Sequence, residues 1–198
     1  MSALTVQPES RGGDSWDALV RLWEEMDWPE GCKVEIIEGI ITVAPTPANQ
    51  HNLIAGEVQR KLYSVLPDDW GIYQTQSVAV PSRKGMFIPD LLVMPTEVLS
   101  ESESVYYVPA AAAELVVEIT SPSNASHDRI AKVAGYAQAG VPLYLLIDAF
   151  AGGGPTVTLY GEPSDGVYRV LQAGKFGDTF RLPAPFGIDL DTSPFPTP

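Results

Sequence analysis

Residues 113–147 constrain the fold more than any other part of the chain. Residues 113–120 are nearly all apolar apart from Glu114 and Glu118. A strand of that composition is buried on both faces of a sheet and sits near its centre. Ser121-Pro122-Ser123-Asn124 reads as a loop. Ser126 is placed to cap a helix over 126–139. Gly140 follows as its C′ residue, where a left-handed backbone suits glycine. Residues 143–147 form a second buried strand, so the segment predicts a βαβ-like unit.

The other elements read as mostly antiparallel. Asp14 or Ser15 caps a first helix to about residue 27, with Trp16, Leu19, Val20 and Trp23 on one face. Residues 34–38 and 40–44 flank Gly39 as a hairpin or sharp bend. After the breaker Pro45-Thr46-Pro47, Asn49 caps a helix over 50–66. Leu53, Ile54, Val58, Leu62 and Val65 form its apolar stripe. Residues 70–80 alternate as one strand and 87–94 form the next. An acidic, serine-containing connection spans 96–109. Residues 156–160 and 167–171 pair around Ser164-Asp165-Gly166, and 179–182 add a short strand. The fold class is α/β: a mixed β-sheet flanked by helices. One domain over 14–191 lies between tails at 1–13 and 192–198, in keeping with a length of 198 residues.

Composition excludes several classes. With 45% hydrophobic residues the chain supports a packed core. No apolar run approaches the roughly 20 residues of a membrane span. The polar start of the chain places the expected location in the cytoplasm. The single cysteine, Cys32, rules out an internal disulfide and a multi-cysteine zinc site. A net charge of −13, from 12 basic and 25 acidic residues, argues against gripping nucleic acid by bulk charge. Arg60-Lys61, Arg83-Lys84 and Arg129 are the candidates for a local basic strip, or are ordinary solvated charges.

The chemistry-bearing residues sit inside the apolar segments. Asp90 lies in Pro89-Asp90-Leu91-Leu92-Val93, and Glu118 in Val116-Val117-Glu118-Ile119. A carboxylate in such a strand is costly unless it is paired or binds a cation. If the two strands are neighbours, both acids share one cleft. Mg²⁺ needs only one or two carboxylates, because it keeps several waters. Asp128, Lys132 and Tyr136 recur at four-residue spacing on one helix face. Lys132 then either leans over the cleft to stabilise charge or forms a surface pair with Asp128.

These residues resemble the PD-(D/E)XK nuclease superfamily. A longer ordered set sharpens the likeness: Val34-Glu35-Ile36-Ile37-Glu38-Gly39, Pro45 to His51, Pro89-Asp90, Val116 to Ser123, Asp128 to Tyr136, and Gly140-Val141-Pro142-Leu143-Tyr144. Together they resemble the bacterial Uma-type family of restriction-endonuclease-like proteins, over about residues 16–190. The resemblance implies a Mg²⁺-dependent DNA endonuclease, with Mn²⁺ as a substitute ion and a homodimeric state. Asp90, Glu118 and the Ile119 carbonyl would hold the metal. Lys132 would stabilise charge in place of the superfamily lysine expected two residues after Glu118, where Thr120 stands. Glu35 matches the N-terminal acid, and His51 the histidine at a helix start. His51 reads equally as a hydrogen-bonded structural residue. Two rivals stand beside this reading: an inactive binding or assembly module on the same fold, and a hydrolase of a small phosphodiester.

Overall fold

The computed structural model describes residues 4–6, 15–27, 30–122 and 124–197. In chain order the elements are β1 (Leu4–Val6), α1 (Trp16–Glu25), β2 (Lys33–Ile37), β3 (Ile40–Ala44), α2 (Asn49–Tyr63), β4 (Trp70–Tyr73), β5 (Ser77–Val80), β6 (Gly85–Phe87) and β7 (Leu91–Pro95). Then follow α3 (Glu97–Glu101), β8 (Tyr107–Pro109), β9 (Leu115–Ile119), a π-helical turn (His127–Ala131) running into α4 (Lys132–Ala139), and β10 (Leu143–Asp148). The chain closes with β11 (Thr156–Ser164), β12 (Val167–Lys175), β13 (Thr179–Leu182) and β14 (Ile188–Asp191).

Among the described residues the strands form three sheets, in the orders β1-β3-β2-β6-β5-β8, β12-β11-β10-β9-β7-β4 and β13-β14. The βαβ unit forms as expected. β9 and β10 run parallel, joined through α4, and β9 sits centrally with β7 antiparallel on its other side. Gly140 terminates α4 at φ 78°. Alternation sorts the buried strands to two faces. Leu91, Val93, Leu115, Val117, Leu143 and Leu145 pack with Ile54, Val58 and Leu62 of α2. Leu92, Val116, Tyr144 and Leu146 pack with Phe87, Val78 and Tyr136 on the α4 side. Each such side chain contributes roughly 1.5–3 kcal/mol on leaving water, so these two layers hold the second sheet between helices. A third cluster joins α1, through Leu19 and Val20, to Val34, Ile36, Ile41 and Met86.

Several expectations are corrected. Residues 70–80 are two strands in different sheets, broken by bends at Gln74 and Thr75. Residues 87–94 also split: β6 belongs to the first sheet and β7 to the second, with Pro89 between them. Alternation shows which side chains face inward but not which sheet a strand joins, and proline interrupts a ladder because it has no N–H. On α2 the buried face is Ile54, Ala55, Val58 and Leu62, while Leu53 is 61% exposed. The N-cap of that helix is Ala48, without a side-chain bond, and not Asn49. Ser126 makes no capping bond either. The Asn124 carbonyl instead accepts the N–H groups of His127 and Asp128, and its Oδ1 accepts from Ser121 N–H. Residues 4–6 of the expected N-terminal tail pair with β3; the rest of 1–13 lies outside the described residues. The proline-rich end is docked: Thr192 is buried and Phe195 packs into the α2-side core.

Candidate active site

The switch between sheets places the acids. β6 ends at Phe87 and β7 begins at Leu91, so Asp90 sits at the mouth of the second sheet. In the β7–β9 pairing Leu91 lies opposite Val117. One step outward, Asp90 immediately precedes β7 and Glu118 lies in β9, which brings the two acids to the same end of the sheet. The Ile119 N–H donates to Asp90 Oδ2 at 2.8 Å. β2 of the first sheet brings Glu35, whose Oε1 accepts the Ile88 N–H at 2.7 Å.

Lys132 is the centre of the cluster. Its Nζ lies 2.9 Å from Glu35, 3.1 Å from Glu118 and 3.2 Å from Asp128, and its side chain is only 1% exposed. The π turn contributes to this placement. The Lys132 N–H bonds the His127 carbonyl across five residues, and this wider turn leaves Asp128 and Lys132 both buried. The Tyr136 hydroxyl donates to Glu118 at 3.0 Å. Lys132 therefore does reach Glu118, but from within the protein interior. Asp128 is its buried partner and not part of a surface pair. Tyr136 is fully buried.

Asp90 has a second set of partners. Lys33 Nζ pairs with Oδ1, and His51 Nε2 lies 2.9 Å from Oδ2. His51 comes from the first turn of α2. A cleft of about 240 Å³ opens here, lined by Lys33, Pro45, Pro47, His51, Asp90 and Ile119, with Ser121 and Pro122 nearby. His51 Nδ1 faces no hydrogen-bond partner among the described residues. Glu35, Glu118 and Lys132 are not part of the cleft lining. They lie buried beside Asp90.

Charge in this cluster is unbalanced. Among the described residues four buried carboxylates, Glu35, Asp90, Glu118 and Asp128, face two ammonium groups, Lys33 and Lys132. Burial pushes the Glu118 carboxyl well above its ordinary range. Lys132 opposes the shift, while Asp128, Asp90 and Glu35 add to it. Burial likewise pushes Asp128 up to about 7 against the pull of Lys132. Asp128 Oδ1 lies within ion-pair distance of Lys132, yet neither of its oxygens has an aligned hydrogen-bond partner among the described residues. For Asp90, burial also acts upward, but the Lys33 ammonium and the His51 hydrogen bond outweigh it and hold the carboxyl low. Burial would depress Lys132; Glu118, Glu35 and Asp128 reverse that and raise it.

The excess of buried carboxylates over ammonium groups is charge that a hard divalent cation would offset, and the oxygens without an aligned partner are those of Asp128. Among the described residues no three His, Cys, Asp or Glu side chains converge as a ready ligand set. A cation at Asp90 and Glu118 would therefore complete its shell with the Ile119 carbonyl and water.

The sequence matches a known family. The Uma2 family model, described as "Putative restriction endonuclease", matches residues 22–193. This chain belongs to the Uma2 family. A protein from Anabaena variabilis ATCC 29413, described as a putative nuclease belonging to DUF820, has the same fold. It superposes with a TM-score of 0.67 at 19% identity, over 91% of this chain and 96% of that one. No curated protein matches the sequence. The family resemblance read from the ordered motifs is borne out, as is the mixed α/β architecture. No helix among the described residues is long and apolar enough to cross a membrane.

In this Uma2 chain the structure gathers Asp90, Glu118, Lys132, Glu35 and His51 in one region, with Ile119 on the cleft wall. Sequence reading missed Lys33. Its only signal was a lone cation opening the strand Lys33-Val34-Glu35-Ile36-Ile37. Also missed was a clamp in which Arg129 binds Asp148 through two nitrogens, at 2.7 and 2.8 Å, while Thr120 donates to the same carboxylate at 2.9 Å. Of the basic-strip candidates, Arg129 is thus committed to Asp148, Arg83 to Glu38 and Arg60 to Glu57.

Proposed function

We propose that this Uma2 chain is a Mg²⁺-dependent DNA endonuclease, with Mn²⁺ as an effective substitute, acting in the cytoplasm. The observation that carries the reading is a cluster of four buried acids and two lysines, of which Asp90 and Lys33 reach the wall of a cleft, on the fold of the Uma2 family. A divalent ion held by Asp90, Glu118 and the Ile119 carbonyl would supply Lewis acidity, activating water and neutralising phosphate charge.

The chain's own residues do the rest. Lys132 holds fixed positive charge beside Glu118, where charge develops during phosphodiester hydrolysis. Three acids fix its direction, so it needs no reorganisation at the moment of reaction. Glu35 buttresses that ammonium and ties it to the strand switch through Ile88. His51 donates from Nε2 to one Asp90 oxygen, which leaves its Nδ1 as an acceptor for a water beside the cleft. Few cations line the cleft, so duplex binding is weak and strongly salt-dependent.

The test is plasmid nicking at low salt with Mn²⁺, comparing wild type, Lys132→Arg and Glu118→Gln. Cleavage by wild type and its loss in both variants supports the reading. Equal cleavage by all three places the activity elsewhere. Bound metal without cleavage of DNA or of a small phosphodiester points to a binding module on the same fold.

A further inference from the structure

The two lysines of the site neutralise acids in different ways. Lys132 is enclosed and shared among three carboxylates. Lys33 is the first residue of β2, its side chain is 23% exposed, and it lines the cleft. Among the described residues its ammonium pairs with one carboxylate, Asp90, and otherwise bonds the Ile88 carbonyl, at 3.3 Å. Asp90 Oδ2 already takes His51 and the Ile119 N–H. With Lys33 on Oδ1, both Asp90 oxygens are engaged from inside the protein.

We propose that Lys33 is a resident counter-cation of Asp90 which gives way to a divalent ion, and that its released ammonium then serves as a phosphate ligand in the cleft. This rests on the metal-dependent reading above. The logic is competition for one charge. Asp90 cannot stay buried and unpaired, because an uncompensated buried carboxylate is costly. Lys33 supplies that compensation in the free protein. Its flexible stem and partial exposure let it leave, which Lys132 cannot do. A cation then binds only the fraction of molecules in which Lys33 is withdrawn. If that fraction is about a tenth, the apparent affinity falls about tenfold. The cleft gains a free ammonium only once the cation is in place, so substrate binding follows metal binding.

The experiment is Mn²⁺ titration by calorimetry of wild type, Lys33→Met, Lys33→Arg and Asp90→Asn, each checked for a cooperative melt. Methionine keeps the apolar stem and removes the competing charge, so Lys33→Met should bind Mn²⁺ about tenfold more tightly than wild type. Arginine forms a two-pronged pair with a carboxylate, so Lys33→Arg should bind more weakly than wild type. Asp90→Asn should lose the site. A thymidine dinucleotide with a phosphorothioate link, titrated at saturating Mg²⁺, should bind wild type more tightly than Lys33→Met. Equal or weaker Mn²⁺ binding by Lys33→Met, with Asp90→Asn still inactive in binding, overturns the inference alone. Unchanged Mn²⁺ binding by Asp90→Asn, or none by any protein, overturns the metal-dependent reading together with it. Equal dinucleotide affinity in the two proteins removes the phosphate role.

Discussion

Asp128→Asn isolates the electrostatic cost of the acid cluster. The substitution conserves size and removes one charge from a site holding four carboxylates. In the unfolded chain Asp128 titrates near 3.8; in the folded chain burial lifts it to about 7, against the attraction of Lys132. Well below pH 3.8 the acid is protonated in both states and its stabilising contribution is fully present. As pH rises, the unfolded chain releases this proton first, so the native state loses stability until the folded group also ionises near 7. A displacement of about three pH units, at 1.36 kcal/mol each, is a loss of about 4 kcal/mol across that window. Glu118 is displaced in the same direction and steepens the fall.

Asp128→Asn should therefore match wild type well below pH 3.8 and exceed it by up to about 4 kcal/mol above pH 7. Urea unfolding in EDTA, at a series of pH values across that range, measures the difference directly. Two parallel stability curves would refute the reasoning. They would show that Lys132 holds Asp128 ionised at neutral pH and that the cluster carries no surplus charge for a cation to neutralise.

Other outcomes follow from the same geometry. Mg²⁺ or Mn²⁺ should stabilise the native state by about 2.7 kcal/mol at a hundred times its dissociation constant, and Asp90→Asn should abolish the gain in a thermal-shift assay. That stabilisation should be larger at pH 8 than at pH 5, because Glu118 and Asp128 are raised and must shed protons before they compensate a cation. Lys132→Met should cost about 3–5 kcal/mol in urea unfolding, since it strips Glu35, Glu118 and Asp128 of their shared cation inside the protein. Gly135→Ala should cost about 1–3 kcal/mol despite better helix propensity, because the added Cβ would meet the Phe87 ring at 2.6 Å. Wild-type stability in that variant would mean α4 does not pack against β6 at this distance.

What was legible in the sequence depended on how local the cause was. The 113–147 unit was readable because burial of β9 and β10 leaves a continuous apolar run, and because Gly140 marks the helix end by its backbone alone. The strand breaks at Gln74-Thr75 and Pro89 were hidden, since each half keeps an inward pattern whichever sheet it joins. The burial of Phe195 was not legible because prolines surround it and its burial depends on the distant core around α2. Asp90 and Glu118 were legible as carboxylates in need of partners because a charge inside an apolar strand must be compensated, and that need is visible in the strand itself.

The identity of the partner is not local. Lys33 meets Asp90 across 57 residues, through strands of different sheets. Asp128 and Lys132 had the spacing of an ordinary exposed helix pair, and the π turn with the covering first sheet makes them part of the interior. Each acid taken alone admits a structural explanation: Asp90 has Lys33 and His51, Glu118 has Lys132 and Tyr136. Taken together the explanation fails, because Lys132 is counted three times over by Glu35, Glu118 and Asp128, and Lys33 serves Asp90 alone. A cluster selected only for stability would replace the surplus acids with apolar side chains, which is commonly neutral or better for folding. Retaining them carries a cost in the free protein that a bound cation would remove. The pH dependence of Asp128→Asn measures that cost without requiring a known substrate.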